Sequence, residues 1–237
     1  MIKGYFSAFS KKTAKKTSPS KTAETRGTKK TAVKIDRKGL AGIIRGVIPS
    51  DLNVDSLKPI DGSGFSPEGA DFIIYREYCR DIAKLMGGYI PYELIHGALF
   101  LVDGLAKNTL AEALNRIVTV KKLNKFSETE NNFIVPSFII ADCGKAYPLI
   151  DLKNDVINYY MSRSIEGESE LELLAVLNYG IIIKDWHKGK GSFVALETGA
   201  DTLAWFTILM NEYLDVKRDD EFDLRKYIRS ERIYNEF

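Results

Sequence analysis

The sequence predicts an α/β domain, a mixed central β-sheet flanked by helices. Three observations carry this. Apolar, β-prone runs recur along the chain at "ADFIIY" (70–75), "LIHGALFLV" (94–102), "NFIVPSFIIAD" (132–142), "YGIIIKDW" (179–186) and "GSFVALE" (191–197). Segments with a helical apolar period stand between and around them. No internal repeat is visible, so strands and helices alternate within one architecture rather than in a stacked array.

The elements follow in order. In "DRKGLAGIIRGVIP" (36–49), Leu40, Ile43, Ile44, Val47 and Ile48 fall on one helical face, and Pro49 ends the helix. "DSLKPIDGSGFSPEG" (55–69) is dense in turn residues and reads as a loop. Strand 70–75 comes next. "REYCRDIAKLMGGYIPYE" (76–93) is ambiguous: its first part suits a short helix, and "GGYIP" breaks it. Strand 94–102 then leads into a helix over 106–123, whose stripe is Leu110, Leu114, Ile117 and Val118. In strand 132–142, Pro136 falls near the start. "DLKNDVINYYMSRS" (151–164) and "ESELELLAVL" (168–177) both read as helices. "HKGKG" is a turn or hairpin between the last two strands. "GADTLAWFTILMNEYLDV" (199–216) is a strongly apolar helix, and "FDLRKYIRSERIYNEF" (222–237) reads as helical.

Charge divides the chain. Residues 1–38 carry ten Lys and two Arg against Glu24 and Asp36, a net +10, so a total of +2 leaves −8 for the rest. Residues 1–35 form a basic, low-complexity arm, and 36–237 form the domain. The arm has no apolar period and cannot offset its own ordering entropy, so in isolation it is expected to be disordered. Tyr5, Phe6 and Phe9 at its start are free to dock on the domain or on a partner. Lys11, Lys12, Lys15, Lys16, Lys29 and Lys30 suit the phosphates of a nucleic acid or an acidic protein.

Several function classes gain no support. There is no run of about 18 apolar residues and no apolar signal stretch at the start, so a cytoplasmic protein without a membrane span is expected. Cys79 and Cys143 form no CxxC and have no His at ligand spacing, which argues against zinc and for small packing residues in a reducing compartment. Phosphate-binding loops, dinucleotide fingerprints and nucleophile elbows are missing. His96, inside an apolar strand, reads as a core histidine, and His187 as a turn residue. Trp186 with Lys184, Lys188 and Lys190 suits either a solvated hairpin tip or a backbone-stacking contact. Tyr159, Tyr160, Trp205 and Phe206 fit helical core positions.

In this order the elements resemble the PD-(D/E)XK nuclease superfamily, and an uncharacterised bacterial nuclease-like group within it. The resemblance spans roughly 36–214. "GLAGIIRGVIPS" and "GSGF" are similar to that group's first helix and glycine turn, "GADFIIY" to its Asp-bearing strand, and "IPYELIHGALFLVDGL" to the strand that usually carries E-x-K. "AEALNRIVTVKKL" and "LETGADTLAWFTILMNEYL" are similar to its later helices. In active members the Asp and the Glu hold Mg²⁺ and the Lys activates water. The Glu and Lys are two apart because strand residues i and i+2 share a face.

Carried over position by position, Asp71 matches the metal-binding Asp and Glu93 an acid of the lead-in. The E-x-K position falls on Phe100-Leu101-Val102, and where the first helix often supplies a Glu this chain has Arg37 and Lys38. The resemblance therefore implies a pseudonuclease without metal or other cofactor. Such a protein would be a nucleic-acid-binding or regulatory subunit, able to self-associate, in genome defence or counter-defence. Two alternatives stay open. One is an active endonuclease with a rearranged Mg²⁺ site, using Asp71 and Glu93 with Asp103 or Asp142 and with Lys107 or Lys145. The other is a protein-binding inhibitor or assembly module.

Overall fold

The computed structural model describes residues 35–123, 133–142 and 147–214. The basic arm with Lys11, Lys12, Lys15, Lys16, Lys29 and Lys30 lies outside them, as do Cys143, Lys145 and the helix expected over 222–237.

Among the described residues, nine strands form in chain order: β1 (Leu52–Asp55), β2 (Lys58–Ile60), β3 (Phe72–Arg76), β4 (Tyr89–Pro91), β5 (Ile95–Asp103), β6 (Ser137–Asp142), β7 (Leu173–Val176), β8 (Gly180–Lys184) and β9 (Phe193–Glu197). Five α-helices among the same residues accompany them: α1 (Arg37–Arg45), α2 (Arg80–Leu85), α3 (Lys107–Val120), α4 (Leu149–Ser162) and α5 (Thr202–Tyr213). Seven strands make one sheet in the order β1-β3-β5-β6-β7-β8-β9, while β2 and β4 pair separately. The β5–β6 and β6–β7 pairs are parallel, and the outer pairs are antiparallel. A parallel pair needs a crossover, and α3 supplies it between β5 and β6.

β5 is the central strand. All its residues except Asp103 are buried, which explains its nearly unbroken apolar run. Alternation sends Ala98, Phe100 and Val102 into one core, with α3 and α4, and Leu99 and Leu101 into the other, with α1 and α5. The β3–β5 register slips between Ile74 and Tyr75, which face Gly97 and Ile95. His96 occupies that slip and is buried, as a core histidine should be.

Residues 168–177 depart from expectation. They are not a helix: a short 3-10 turn, Gly167–Ser169, leads into β7. The Glu- and Leu-rich composition favours a helix locally, but a slot between β6 and β8 buries both faces. Glu170 and Glu172 are tolerated there because buried lysines meet them. Lys184 Nζ bonds Glu170 and the Gly189 carbonyl, and Lys121 Nζ bonds Glu172. Lys184 is thus an interior ion-pair residue, not part of a basic surface tip. β2 forms where only turn signals were read, and β1 in a stretch assigned to no element, because tertiary pairing supplies partners for short strands. Trp205 is exposed, unlike its neighbour Phe206. No helix among the described residues is long and apolar enough to cross a membrane.

Candidate functional site

Asp71 stands one residue before β3. Its amide donates to the Leu99 carbonyl at 2.9 Å, and the Phe72–Leu99 register continued by one residue sets Asp71 opposite Phe100. The strand positions matched to the metal-binding acids are therefore neighbours in space. Phe100 is fully buried and Val102 nearly so.

The Asp71 carboxylate is surrounded by N–H donors. Oδ1 accepts from Arg37 Nη1. Oδ2 accepts from the Leu101 amide at 2.7 Å and lies 3.7 Å from Arg116 Nη1. Arg37 belongs to α1, which packs on one face of the sheet, and Arg116 to α3, on the other. The two guanidiniums converge on one carboxylate from opposite faces. Arg37 Nη2 also lies 3.6 Å from Asp103 Oδ2, and Asp103 Oδ1 accepts the Ile35 amide at 2.8 Å. Two arginines thus face two aspartates.

Arg116 is held from two further directions. Nη1 donates to the Gly69 carbonyl at 2.9 Å, and Cζ lies 5.6 Å from the centroid of the Phe100 ring. Gly69 has φ +109°, and a Cβ there would stand 2.6 Å from Arg116 Cδ. Only glycine combines that backbone with that passage. Phe100 thus contributes an apolar wall and a ring face to the arginine.

Other candidates are placed elsewhere. Glu93 lies in the 3-10 turn Tyr92–Leu94 before β5, seven residues ahead of Phe100. Asp142 lies beside Asp103 in the parallel β5–β6 register. Lys107 turns to Asp155, with Nζ 3.2 Å from Oδ1. Among the described residues no group of three or more His, Cys, Asp or Glu could hold a metal ion. Mg²⁺ takes oxygen ligands, and both Asp71 oxygens are engaged by donors. Arg116 is the residue that sequence reasoning missed: it borders the apolar stripe of α3 and reads as a solvated charge. Its signal was Gly69, a glycine just before the Asp-bearing strand.

No protein-family model matches the chain, and no curated protein matches it by sequence. Solved structures do match. Escherichia coli NucC in its apo form aligns with TM-score 0.70 and 11% identity, covering 96% of this chain and 97% of that one. Pseudomonas aeruginosa NucC in its cAAA-bound form aligns with TM-score 0.64 and 10% identity, covering 81% and 82%. The cAAA-bound form of E. coli NucC aligns with TM-score 0.60 and 9% identity, covering 81% of each chain. The chain therefore has the mixed α/β fold seen in these NucC structures.

Proposed function

We propose that this chain is a catalytically degenerate nuclease-fold protein, a nucleic-acid-binding or regulatory subunit of a cytoplasmic genome-defence or counter-defence system. One observation carries the reading. Asp71, the residue that the resemblance matches to a metal-binding acid, is paired with Arg37 and Arg116, and the two positions it matches to E-x-K are the buried Phe100 and Val102. A ring and an isopropyl group neither bind a cation nor polarise water. Losing one preorganised charge-stabilising group costs about 10²–10³ in rate, and here two are replaced. The likeness to NucC supports the defence setting. The basic arm of residues 1–35 supplies the electrostatic contact through Lys11, Lys12, Lys15, Lys16, Lys29 and Lys30, by releasing counterions from phosphates.

The test uses the full chain with supercoiled and linear DNA and with Mg²⁺ or Mn²⁺. No cleavage is expected. Cleavage that disappears in Asp71→Ala sinks the reading. Binding is measured alongside: deleting residues 1–34 should weaken it for all sequences alike and flatten its salt dependence. Equal affinity and slope after deletion remove the arm from the contact.

A further inference from the structure

Helices α3 and α4 lie side by side on one face of the sheet. Each connects two parallel strands, α3 from β5 to β6 and α4 from β6 to β7, so both run the same way. Helical spacing brings Lys107, Ala111 and Leu114 of α3, and Asp155, Asn158 and Ser162 of α4, to the seam between them. Ala111, Asn158 and Ser162 are too short to fill that seam. A groove of about 230 Å³ remains, floored by the buried Leu110 and Leu114 and walled by the ring of Tyr159.

The two ends of the groove differ in charge. At one end Lys107 Nζ lies 3.2 Å from Asp155 Oδ1, and the Tyr147 hydroxyl donates to Asp155 Oδ2. The polar groups there satisfy one another. At the other end Arg163 stacks on Tyr159, with Cζ 4.1 Å from the ring centroid. It has no carboxylate partner among the described residues. The ring holds the planar guanidinium in place and leaves its N–H groups for another acceptor. Beside it, Ser162 Oγ makes only a long 3.4 Å bond to the Tyr159 carbonyl, and the exposed Asn158 amide adds a further donor.

We propose that this groove is a binding site for a small apolar monocarboxylate. The carboxylate sits on Arg163 and Ser162, and the apolar body lies over Leu110, Ala111 and Leu114. Charge selects the class. One guanidinium matches one negative charge, and its fork matches the two oxygens of a carboxylate. A phosphate dianion would leave a charge unmet. Asp155 at the far end repels an anion and so fixes the direction of the ligand. The floor and the Tyr159 ring suit an alkyl chain or a phenyl ring. Size narrows the choice further. The volume falls below the roughly 300–1,000 Å³ of pockets for drug-sized ligands, which selects a molecule smaller than a nucleotide. The groove shares no residue with the Asp71 cluster, so it stands or falls apart from the reading of that site.

Titration of the full chain with phenylacetate, followed by backbone amide NMR, tests this. Saturable binding is expected, with shifts along the facing sides of α3 and α4. Phenylacetamide lacks the charge and acetate lacks the ring, so each should bind about tenfold more weakly or worse. Arg163→Gln should weaken phenylacetate about tenfold and leave phenylacetamide unchanged. Ala111→Phe should fill the groove and abolish binding in a protein that is folded by circular dichroism. If that variant does not fold, Ser162→Tyr, at an exposed position, carries the test with the same expectation. Because the full chain is used, a segment of it that already fills the groove gives no binding and counts against the proposal. Four results overturn it: no saturable binding, equal affinity for acid and amide, tighter binding of inorganic phosphate than of phenylacetate, or unchanged affinity in Arg163→Gln or in a folded groove-filling variant.

Discussion

The guanidinium of Arg116 stands over the ring of Phe100, with Cζ 5.6 Å from the centroid, and the same group reaches Asp71. Phe100 is therefore not a passive filler of the core. It forms the wall against which a cation is presented to Asp71. Phe100→Ala removes a fully buried ring from the larger core and leaves Arg116 without its stacking partner. The expected cost is about 3–5 kcal/mol, read from urea unfolding at constant m-value. A cost below about 1 kcal/mol would mean that the core collapses around the gap.

Gly69 and Arg116 are coupled in the opposite sense. Gly69→Ala meets both a φ of +109° and the Arg116 side chain at 2.6 Å. The two penalties separate in a double-mutant cycle. In the Arg116→Ala background the collision disappears and only the backbone strain remains, about 1–3 kcal/mol. Gly69→Ala should therefore cost clearly more in wild type than in Arg116→Ala. Equal costs would show that Arg116 simply moves aside.

What the sequence revealed, and what it hid, follows from range. Strands β3, β5 and β6 and helix α3 were legible because each carries its own apolar period. The place of Asp71 beside Phe100 was legible because strand alternation and the family pattern agree. β7 was not, since Glu170 and Glu172 favour a helix until Lys184 and Lys121 arrive from distant segments. The arginine pair was half legible: Arg37 is singled out at the start of the first helix, whereas Arg116 meets Asp71 only through the packing of α3 over Gly69. Trp205 kept its helical position but not its burial, because periodicity marks a face without saying how far the sheet extends beneath it.

Cys79 should be inert in the native state. It is fully buried, and burial pushes its thiol up to about 11, with smaller opposing effects from Tyr78 and Arg76. The thiolate is the reactive form, so at pH 8 both ionisation and access oppose alkylation. In a Cys143→Ser background, native protein should resist maleimide labelling, and labelling should follow the unfolding curve in urea. Rapid labelling without denaturant would show that the turn around Cys79 opens locally.

The Lys121–Glu172 pair is the last case, and its two substitution routes should part widely. Lys121 Nζ bonds Glu172 Oε1, and the Ser137 amide donates to Oε2 at 2.6 Å, all in buried surroundings. Glu172→Ala leaves an ammonium and an amide without their acceptor, at a cost of about 3–5 kcal/mol. Lys121→Met with Glu172→Leu removes both charges together and should cost much less, because the desolvation penalty leaves with them. The pH dependence has a definite sign. Burial raises the Glu172 carboxyl above its ordinary 4.5, and Lys121 opposes this only in part. An acid raised in the folded state holds its proton more firmly folded than unfolded. Its contribution is therefore fully present below 4.5 and is lost as pH rises through the folded value. Glu172→Gln removes that titration while keeping an acceptor. The stability of wild type relative to Glu172→Gln should fall as pH rises above 4.5. A relative stability that climbs instead would mean that attraction to Lys121 outweighs burial and that the pair is a net stabiliser of β7.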